Sequence, residues 1–315
     1  MKLSDYVIQF IEAQGVRHVF MVPGGGAMHL NDSLGQSKTI AWISNLHEQA
    51  SAMAAETYAK ATGNLGVALF TTGPGGTNAI TGVAGAWLDS TPCLFISGQV
   101  KRPDLKGKSG VRQMGVQEVD IVSAVKAMTK YAKLIVDPES IRYHLEKAVY
   151  LARSGRPGPV WIDIPLDVQA ANIDESRLRG FRVPRRRHSP ADLPDKIAKI
   201  VQMLAHSDRP VLLAGNGVRL AGAEEAFRSL ARILKVPVLL TWLAIDLFAH
   251  DDENLIGKPG TVAPRGVNFA LQNSDFLLVI GARLDNTITG YAPDRLARAA
   301  KKNNDRHRCV RDRQA

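Results

Sequence analysis

The sequence predicts an α/β protein with two doubly wound domains, each a parallel sheet that helices cover on both faces. Helical and strand patterns alternate along the chain, and glycine-rich turns follow several of the short apolar strands. A stretch rich in charges, arginine and proline then interrupts this alternation. We therefore predict a first domain at 1–170, a linker at 171–190, a second domain at 191–300 and a polar tail at 301–315.

The first domain is expected to open with a helix that Ser4 caps, that runs to about Gln14 and that ends at Gly15. Strands and helices then follow one another as a parallel sheet requires. The elements expected are a strand over Val19–Val22, a helix, a strand over Ile40–Ser44, an alanine-rich helix from about Glu48 to Ala61, a strand over Gly66–Thr71, a helix ending at Trp87, a strand over Cys93–Ser97 and a last buried strand over Val160–Ile164.

The second domain repeats this pattern. The elements expected are a helix over Leu193–Ala205, a strand over Pro210–Ala214, a helix over Ala223–Leu234, strands over Val236–Thr241 and Phe276–Ile280, and a helix over Pro293–Ala300. After that helix the alternation requires another strand, but the sequence continues with polar, arginine-rich residues to Ala315. A solvated tail and a frame change in the gene are both consistent with this ending.

Composition excludes several classes of protein. The net charge of +10 is concentrated in Arg185–Arg187 and between Arg298 and Arg313, without the interleaved aromatic residues that stack on bases, so we expect no nucleic-acid partner. No apolar run reaches the roughly 18–20 residues of a membrane span, and the N-terminus lacks a signal-peptide pattern, so we expect a cytoplasmic protein without a membrane partner. With Cys93 and Cys309 alone, the chain offers neither a disulfide framework nor a cysteine-built metal site.

One carboxylate stands among small and apolar residues, at the start of the alanine-rich helix. Glu48 in this setting suits a proton-handling or hydrogen-bonding role. It also suits an acid that the dipole at a helix N-terminus stabilises, and the spacing alone favours this second interpretation. Its neighbour His47 is more simply read as a turn residue than as a catalyst.

Glycine clusters follow several predicted strands: Gly24–Gly26, Gly73–Gly76, Gly215–Gly217 and the turn Gly281-Ala282-Arg283. Glycine there lets a ligand approach the backbone at the carboxyl ends of strands, where open α/β sheets bind ligands. The first two clusters match neither the dinucleotide fingerprint nor the P-loop spacing, and tight-turn geometry explains each cluster by itself.

In combination, the motifs identify a family. Pro23-Gly24-Gly25, His47-Glu48-Gln49-Ala50, Thr72-Gly73-Pro74-Gly75, Gly85-Ala86-Trp87-Leu88-Asp89-Ser90 and Gly155-Arg156-Pro157-Gly158-Pro159-Val160 occur in this order. Together they resemble the pyrimidine-binding domain of thiamine-diphosphate enzymes of the acetolactate synthase group. Gly281-Ala282-Arg283-Leu284-Asp285-Asn286 with Thr289-Gly290 resembles the group's central, flavodoxin- or Rossmann-like domain. The resemblance covers about Lys2 to Arg298.

The resemblance implies a role for Glu48 as the catalytic glutamate. In this family that residue bonds the aminopyrimidine ring of thiamine diphosphate and favours the tautomer whose nitrogen removes the thiazolium proton. Other matched positions fall into two groups. Cofactor contacts are implied for Val22, Pro23, Gly24, Gly73 and Asn78, and contacts with the substrate for Gly25 and Gln117.

For the central domain the resemblance implies FAD, which does no redox work in the synthases. Positions that match residues around this flavin are Arg156, Gly215, Gly217, Thr241, Gly260, Thr261 and Arg283. The alternative is an α/β domain that has kept its fold without a flavin, as in several relatives.

The activity implied is that of a decarboxylating carboligase, which releases CO₂ from pyruvate and transfers the acyl unit to a second carbonyl. In the synthases this reaction serves branched-chain amino acid biosynthesis. Members of the family are homodimers or tetramers with active sites between subunits. Their diphosphate and Mg²⁺ are held by a third domain with a Gly-Asp-Gly motif, which has no counterpart here. We therefore expect the isolated chain to be inactive, either as a non-catalytic remnant or as one half of a split enzyme.

Two departures concern the acceptor substrate. Leu166 stands where the synthases usually carry lysine, and Val116 where they usually carry phenylalanine. The run Gly110–Glu118 is closer to relatives in surface-sugar biosynthesis, which transfer the acyl unit to a keto-sugar. A keto-sugar acceptor is therefore the alternative to a second keto acid.

Overall fold

The computed structural model describes residues 1–184 and 192–300. The arginines Arg185–Arg187 and the predicted tail at 301–315 lie outside the described residues. The chain divides into two compact units, within Met1–Arg186 and Arg187–Ala315. Each unit is built on a parallel sheet, which confirms the predicted fold class.

The first unit contains a six-stranded sheet. Its strands are β1 (His18–Met21), β2 (Ala41–Ser44), β3 (Gly66–Phe70), β4 (Cys93–Gln99), β5 (Tyr131–Leu134) and β6 (Val160–Pro165). Its helices are α1 (Leu3–Ala13), α2 (Met28–Gln36), α3 (Glu48–Thr62), α4 (Pro74–Asn78), α5 (Ile80–Asp89), α6 (Ile121–Val125), α7 (Ile141–Arg153) and α8 (Leu166–Gln169). The strand order is β2-β1-β3-β4-β6-β5, and every pair is parallel.

Apolar residues fill both faces of this sheet. Val67 and Leu69 belong to one core cluster with α1, α2 and α7, whereas Ala68 and Phe70 belong to a second cluster with α3 and α5. Central strands of a parallel sheet are buried on both faces, which explains why β3 reads as a continuous apolar run. After β1 the chain adds β2 on one side of the sheet, and after β3 it adds β4 on the other side. The direction in which strands are added therefore reverses between β1 and β3. Ligands of open α/β sheets bind beside such a reversal, at the carboxyl ends of the strands.

The second unit contains a four-stranded parallel sheet in the order β10-β7-β8-β9. Its strands are β7 (Pro210–Ala214), β8 (Val238–Leu240), β9 (Leu255–Gly257) and β10 (Phe276–Ile280), and its helices are α9 (Leu193–Ala205), α10 (Gly217–Leu220), α11 (Glu224–Leu234), α12 (Arg265–Asn273) and α13 (Asn286–Thr289). The order reverses between β7 and β10. The turns after these two strands are the glycine clusters at 215–217 and 281–283.

Several local predictions are wrong. Ser4 does not cap α1: it is buried inside the helix, its Oγ donates to Gln169 O at 2.8 Å, and Lys2 holds the cap position. The helix expected over Pro293–Ala300 is a 3₁₀ turn at Pro293–Arg295, because Leu296 is extended.

Other differences concern strands and a helix. The strand expected over Val236–Thr241 is confined to β8, since Pro237 has no N–H to donate. Two elements were not predicted: the edge strand β5, whose four residues include the exposed Lys133, and the helix α7 that follows it.

The first residues of the predicted linker pack against the first unit. Asn172 forms a β-bridge with Lys2, and Ile173 and Leu178 are buried. Phe181 N donates to Glu146 Oε2 at 2.6 Å. No helix in the described part of the chain is long and apolar enough to cross a bilayer.

Candidate functional site

The site in the first unit lies at the carboxyl ends of β1, β2 and β3, where the strand order reverses. The loop at 22–27 follows β1, Glu48 begins α3 just after β2, and the turn at 71–76 follows β3. Parallel strands bring these three segments to one edge of the sheet. The structure therefore assembles motifs that are far apart in the sequence.

Glu48 is the buried carboxylate of this edge. It is the first residue of α3, and the helix is capped by His47, whose Nδ1 accepts from Gln49 N at 3.1 Å. Glu48 Oε2 accepts from Asn78 Nδ2 at 2.9 Å. Beside Oε1 the chain has Gly75, where even an added Cβ would stand 3.6 Å away. One oxygen is thus fixed by Asn78 and the other faces a position without a side chain.

Both interpretations of Glu48 agree with this geometry. An acid in the first turn of a fifteen-residue helix is favourably placed in the helix dipole. The contact with Asn78 fixes the orientation of the Glu48 carboxyl group, which a favourable interaction with the dipole does not require. Asn78 belongs to the predicted cofactor residues, so the structure brings two of them into direct contact.

Glycine is required for packing at most positions of the two loops. A Cβ on Gly24 would lie 2.5 Å from Thr71 Cβ, and one on Gly26 would lie 1.8 Å from Thr72 Oγ1. At Gly73, with φ of +61°, a Cβ would lie 1.9 Å from Gln117 O. Gly25 is different, because nothing lies within 4 Å of its added Cβ. Tight packing explains three of these glycines, and Gly25 has open space beside it.

Three buried polar atoms near the loop at 24–26 have no hydrogen-bond partner among the described residues: Asn31 Oδ1, Thr72 Oγ1 and Gln169 Oε1. Asn31 Nδ2 donates to Gly24 O at 3.2 Å, and Gln169 Nε2 donates to Gly26 O at 2.8 Å. Buried polar atoms are rarely left unpaired in native proteins. These three atoms lie around the same loop as the open space at Gly25.

Gln117 reaches the same edge. Its backbone carbonyl packs against Gly73, and its side chain is exposed. Val22 and Pro23 lie just after β1, so the predicted cofactor and substrate residues of the first unit, with the exception of Arg156, gather around one edge. Thr72, Asn31 and Gln169 were not among the predicted residues. Of these three, only Thr72 could have been proposed from the sequence, because it belongs to the motif Thr72-Gly73-Pro74-Gly75.

Arg156 lies elsewhere in the first unit, in the turn that precedes β6. Its Nε donates to Ser90 Oγ at 2.6 Å and its Nη2 donates to Leu88 O at 3.4 Å. Two nitrogens of this guanidinium group therefore already donate hydrogen bonds to residues at the end of α5 and just after it.

In the second unit, the predicted flavin residues gather at the carboxyl ends of the strands. Gly215 and Gly217 follow β7, Thr241 follows β8, Gly260 and Thr261 follow β9, and Arg283 follows β10.

The glycines among these residues are also required by packing. A Cβ on Gly215 would lie 2.5 Å from Ala282 Cα, and one on Gly217 would lie 2.7 Å from Gly281 Cα. Gly260 has φ of +133°, and its Cβ would lie 2.7 Å from Thr287 O. These glycines therefore do not by themselves indicate a ligand. Within the described ranges no group of three or more His, Cys, Asp or Glu residues could hold a metal ion.

Comparison with known proteins gives two matches to one family. The family model described as "Thiamine pyrophosphate enzyme, N-terminal TPP binding domain" matches residues 1–124. The model described as "Thiamine pyrophosphate enzyme, central domain" matches residues 197–306.

Curated relatives cover most of this chain. A probable acetolactate synthase large subunit of Methanocaldococcus jannaschii is 36% identical over 304 residues, which is 93% of this chain and 50% of that protein. Acetolactate synthase 2, chloroplastic, of Nicotiana tabacum is 37% identical over 92% of this chain and 43% of its own length. The acetolactate synthase large subunit of Lactococcus lactis is 33% identical over 94% of this chain and 50% of its own. The chain thus spans about half the length of these relatives.

Proposed function

Since the chain belongs to the thiamine pyrophosphate enzyme family, we propose that its first unit binds the aminopyrimidine ring of thiamine diphosphate at the carboxyl ends of β1, β2 and β3. The observation that carries this proposal is the buried carboxyl of Glu48, held by Asn78 at 2.9 Å. A carboxyl in this position bonds a ring nitrogen and shares a proton with it.

The other residues of this edge orient the ring and its substrate. Val22, Pro23 and Gly24 lie beside the ring as backbone, and Gly73 and Asn78 hold the opposite loop. Gly25 and Gln117 face the substrate, because the first has open space beside it and the second has an exposed side chain. When bound, thiamine diphosphate would supply a nucleophilic thiazolium carbon and an acceptor for the electron pair that loss of CO₂ from a 2-keto acid leaves behind.

The reaction proposed is the decarboxylation of pyruvate followed by acyl transfer to a second carbonyl. The names of the three relatives described above, each an acetolactate synthase, support it. A keto-sugar acceptor is the second candidate. It is favoured by Val116, which is 84% exposed beside Gln117 and is smaller than the phenylalanine usual in the synthases.

The second unit is proposed to bind FAD at the carboxyl ends of β7, β8 and β10, which is supported by the gathering of Gly215, Thr241 and Arg283 at that edge. The ligands of Mg²⁺ and of the cofactor's diphosphate are proposed to come from a further domain, either on a separate chain or as part of a longer protein. A second copy of this chain is the other proposed partner, as in a homodimer or tetramer.

The experiment follows the absorbance spectrum of the purified chain and its release of CO₂ from pyruvate with thiamine diphosphate and Mg²⁺ present. We expect flavin absorbance and no turnover until a chain carrying the diphosphate domain is added. Turnover by this chain alone, abolished in Glu48→Gln, would show that residues of this chain anchor the whole cofactor. A colourless protein would remove FAD from the proposal.

A further inference from the structure

One buried carboxylate ties down the exposed loop that precedes Gln117. Glu118 Oε1 accepts from Lys106 N at 2.7 Å. Its Oε2 accepts from Met114 N at 3.0 Å and from Gly115 N at 3.3 Å. Hydrogen bonds from backbone amides to a buried carboxylate are stronger than those between neutral groups. Glu118 therefore joins the two ends of the loop at 106–115.

A second anchor lies on the other side of Gln117. Gln99 Nε2 donates to Val119 O at 3.0 Å and to Asp163 Oδ2 at 3.0 Å. The other carboxyl oxygen of Asp163 accepts from Ser97 Oγ at 2.6 Å. Because Gln99 and Asp163 are buried in β4 and β6, this chain of bonds fixes the carbonyl of Val119 to the interior of the sheet.

Between the two anchors, Gln117 adopts an unfavourable backbone conformation. Its φ is +60°, in the left-handed region that residues other than glycine avoid. Its carbonyl packs against Gly73, whose Cβ would stand 1.9 Å away. Gly73 is the cap residue of α4, and the last residue of α4, Asn78, donates to Glu48. The strained residue thus touches the turn that orients the carboxyl of Glu48.

We propose that Glu118 is a positioning residue: with Gln99 and Asp163 as the second anchor, it holds Gln117 against the Gly73 turn and so fixes the turn that presents Asn78 to Glu48. The proposal depends on the proposed function only for the role of Gln117 in the substrate pocket. A residue that merely closed its own loop would have no effect on Asn78.

Amide hydrogen exchange and NMR of the full chain test this without any ligand. In Glu118→Ala we expect the amides of Lys106, Met114 and Gly115 to exchange at least about tenfold faster, because each loses its acceptor. We also expect faster exchange in the turn at 73–78 and a shift of the Asn78 side-chain amide signals. Glu118→Gln, which keeps one carbonyl oxygen, should restore part of the protection.

The second anchor has its own variants. Gln99→Leu should release Val119 and shift the Asn78 signals. Asp163→Asn should leave them in place, since its amide can donate to Ser97 while its carbonyl accepts from Gln99. The control is Glu56→Ala, which removes a buried carboxylate of α3 that pairs with Lys60 at 2.7 Å.

The proposal is overturned if the Asn78 signals and exchange at 73–78 do not change in Glu118→Ala, or change equally in Glu56→Ala. If a variant does not fold, Glu118→Gln and Gln99→Leu decide the question. These measurements contain no thiamine diphosphate. A separate finding that the chain does not bind the cofactor would refute the proposed function but would not affect this inference.

Discussion

The position of Glu48 has two explanations, the helix dipole and a ligand-binding role, and the structure is consistent with both. The helix dipole favours an acid in the first turn of α3, and Asn78 then orients one of its oxygens. A dipole effect alone would allow Asp, Glu or a capping serine at this end. The contact with Asn78, thirty positions later in the chain, is what favours a ligand-binding role.

Alanine variants of Gly24 and Gly25 distinguish a glycine that packing requires from one that packing does not require. In Gly24→Ala the new methyl group meets Thr71, so we expect a loss of about 1–3 kcal/mol in the free energy of unfolding. In Gly25→Ala we expect a change within about 0.5 kcal/mol, because nothing lies within 4 Å of the added Cβ. Urea unfolding measures both. A destabilised Gly25→Ala variant would mean that packing, not a ligand, requires glycine at this position.

Asp163 should make the stability of the first unit depend on pH. Burial raises the pKa of its carboxyl from 3.8 to about 7, although bonds from Ser97 and Gln99 act in the opposite direction. Between these values the folded chain keeps a proton that the unfolded chain has lost. Stability from this group is therefore fully present below pH 3.8 and is lost as pH rises through about 7.

The measurement is the free energy of unfolding across this pH range for the unmodified chain and for Asp163→Asn, which cannot titrate. The difference between the two should grow in favour of the asparagine variant as pH rises. Parallel pH profiles would show that Asp163 does not titrate in this window.

At the scale of elements, the apolar pattern predicted most helices and strands. The bounds of α9, β7 and β10 agree with the prediction to the residue, because each is a periodic or apolar run between turn residues. The errors occur where contacts with residues distant in the sequence determine the local structure. Ser4 looks like a cap but is buried against Gln169, and the edge strand β5 is stabilised by its pairing with β6 rather than by its own composition.

Gly73 and Gly63 are two turn glycines that differ in backbone conformation and in surroundings. Both have positive φ, of +61° at Gly73 and +68° at Gly63. Gly63, with ψ of 9°, is in the left-handed α region, where an alanine should cost about 1–2 kcal/mol. Gly73 has ψ of −108°, a combination that residues with a Cβ avoid still more strongly. Gly63 has open space around it, whereas a Cβ at Gly73 would meet Gln117 O. Gly73→Ala should therefore lose a further ~1–3 kcal/mol on thermal or urea unfolding. Equal losses in the two variants would contradict this prediction, because both the backbone conformation and the contact with Gln117 O should make the Gly73 variant less stable.

At the scale of the whole molecule, motif order was more informative than any single residue. The sequence predicted Glu48, Asn78 and the glycine turns as one site, and the structure places them at the reversal of strand order. It could not predict the unpaired atoms of Asn31 and Gln169 or the anchors around Gln117. Those depend on side-chain contacts between segments up to 143 positions apart.

The most direct test of the central claim is saturation-transfer NMR of thiamine diphosphate with the purified chain, because this method detects weak binding through protons of the ligand. We expect saturation of the pyrimidine ring protons. In Glu48→Ala the affinity should fall at least about tenfold, since a hydrogen bond to a charged group contributes roughly 1.5–3 kcal/mol.

Glu56→Ala, another buried carboxylate of the same helix, serves as the control and should bind as the unmodified chain does. Loss of the pyrimidine signal in Glu48→Ala alone would support the account. Equal signals in both variants, or none with the unmodified chain, would contradict it.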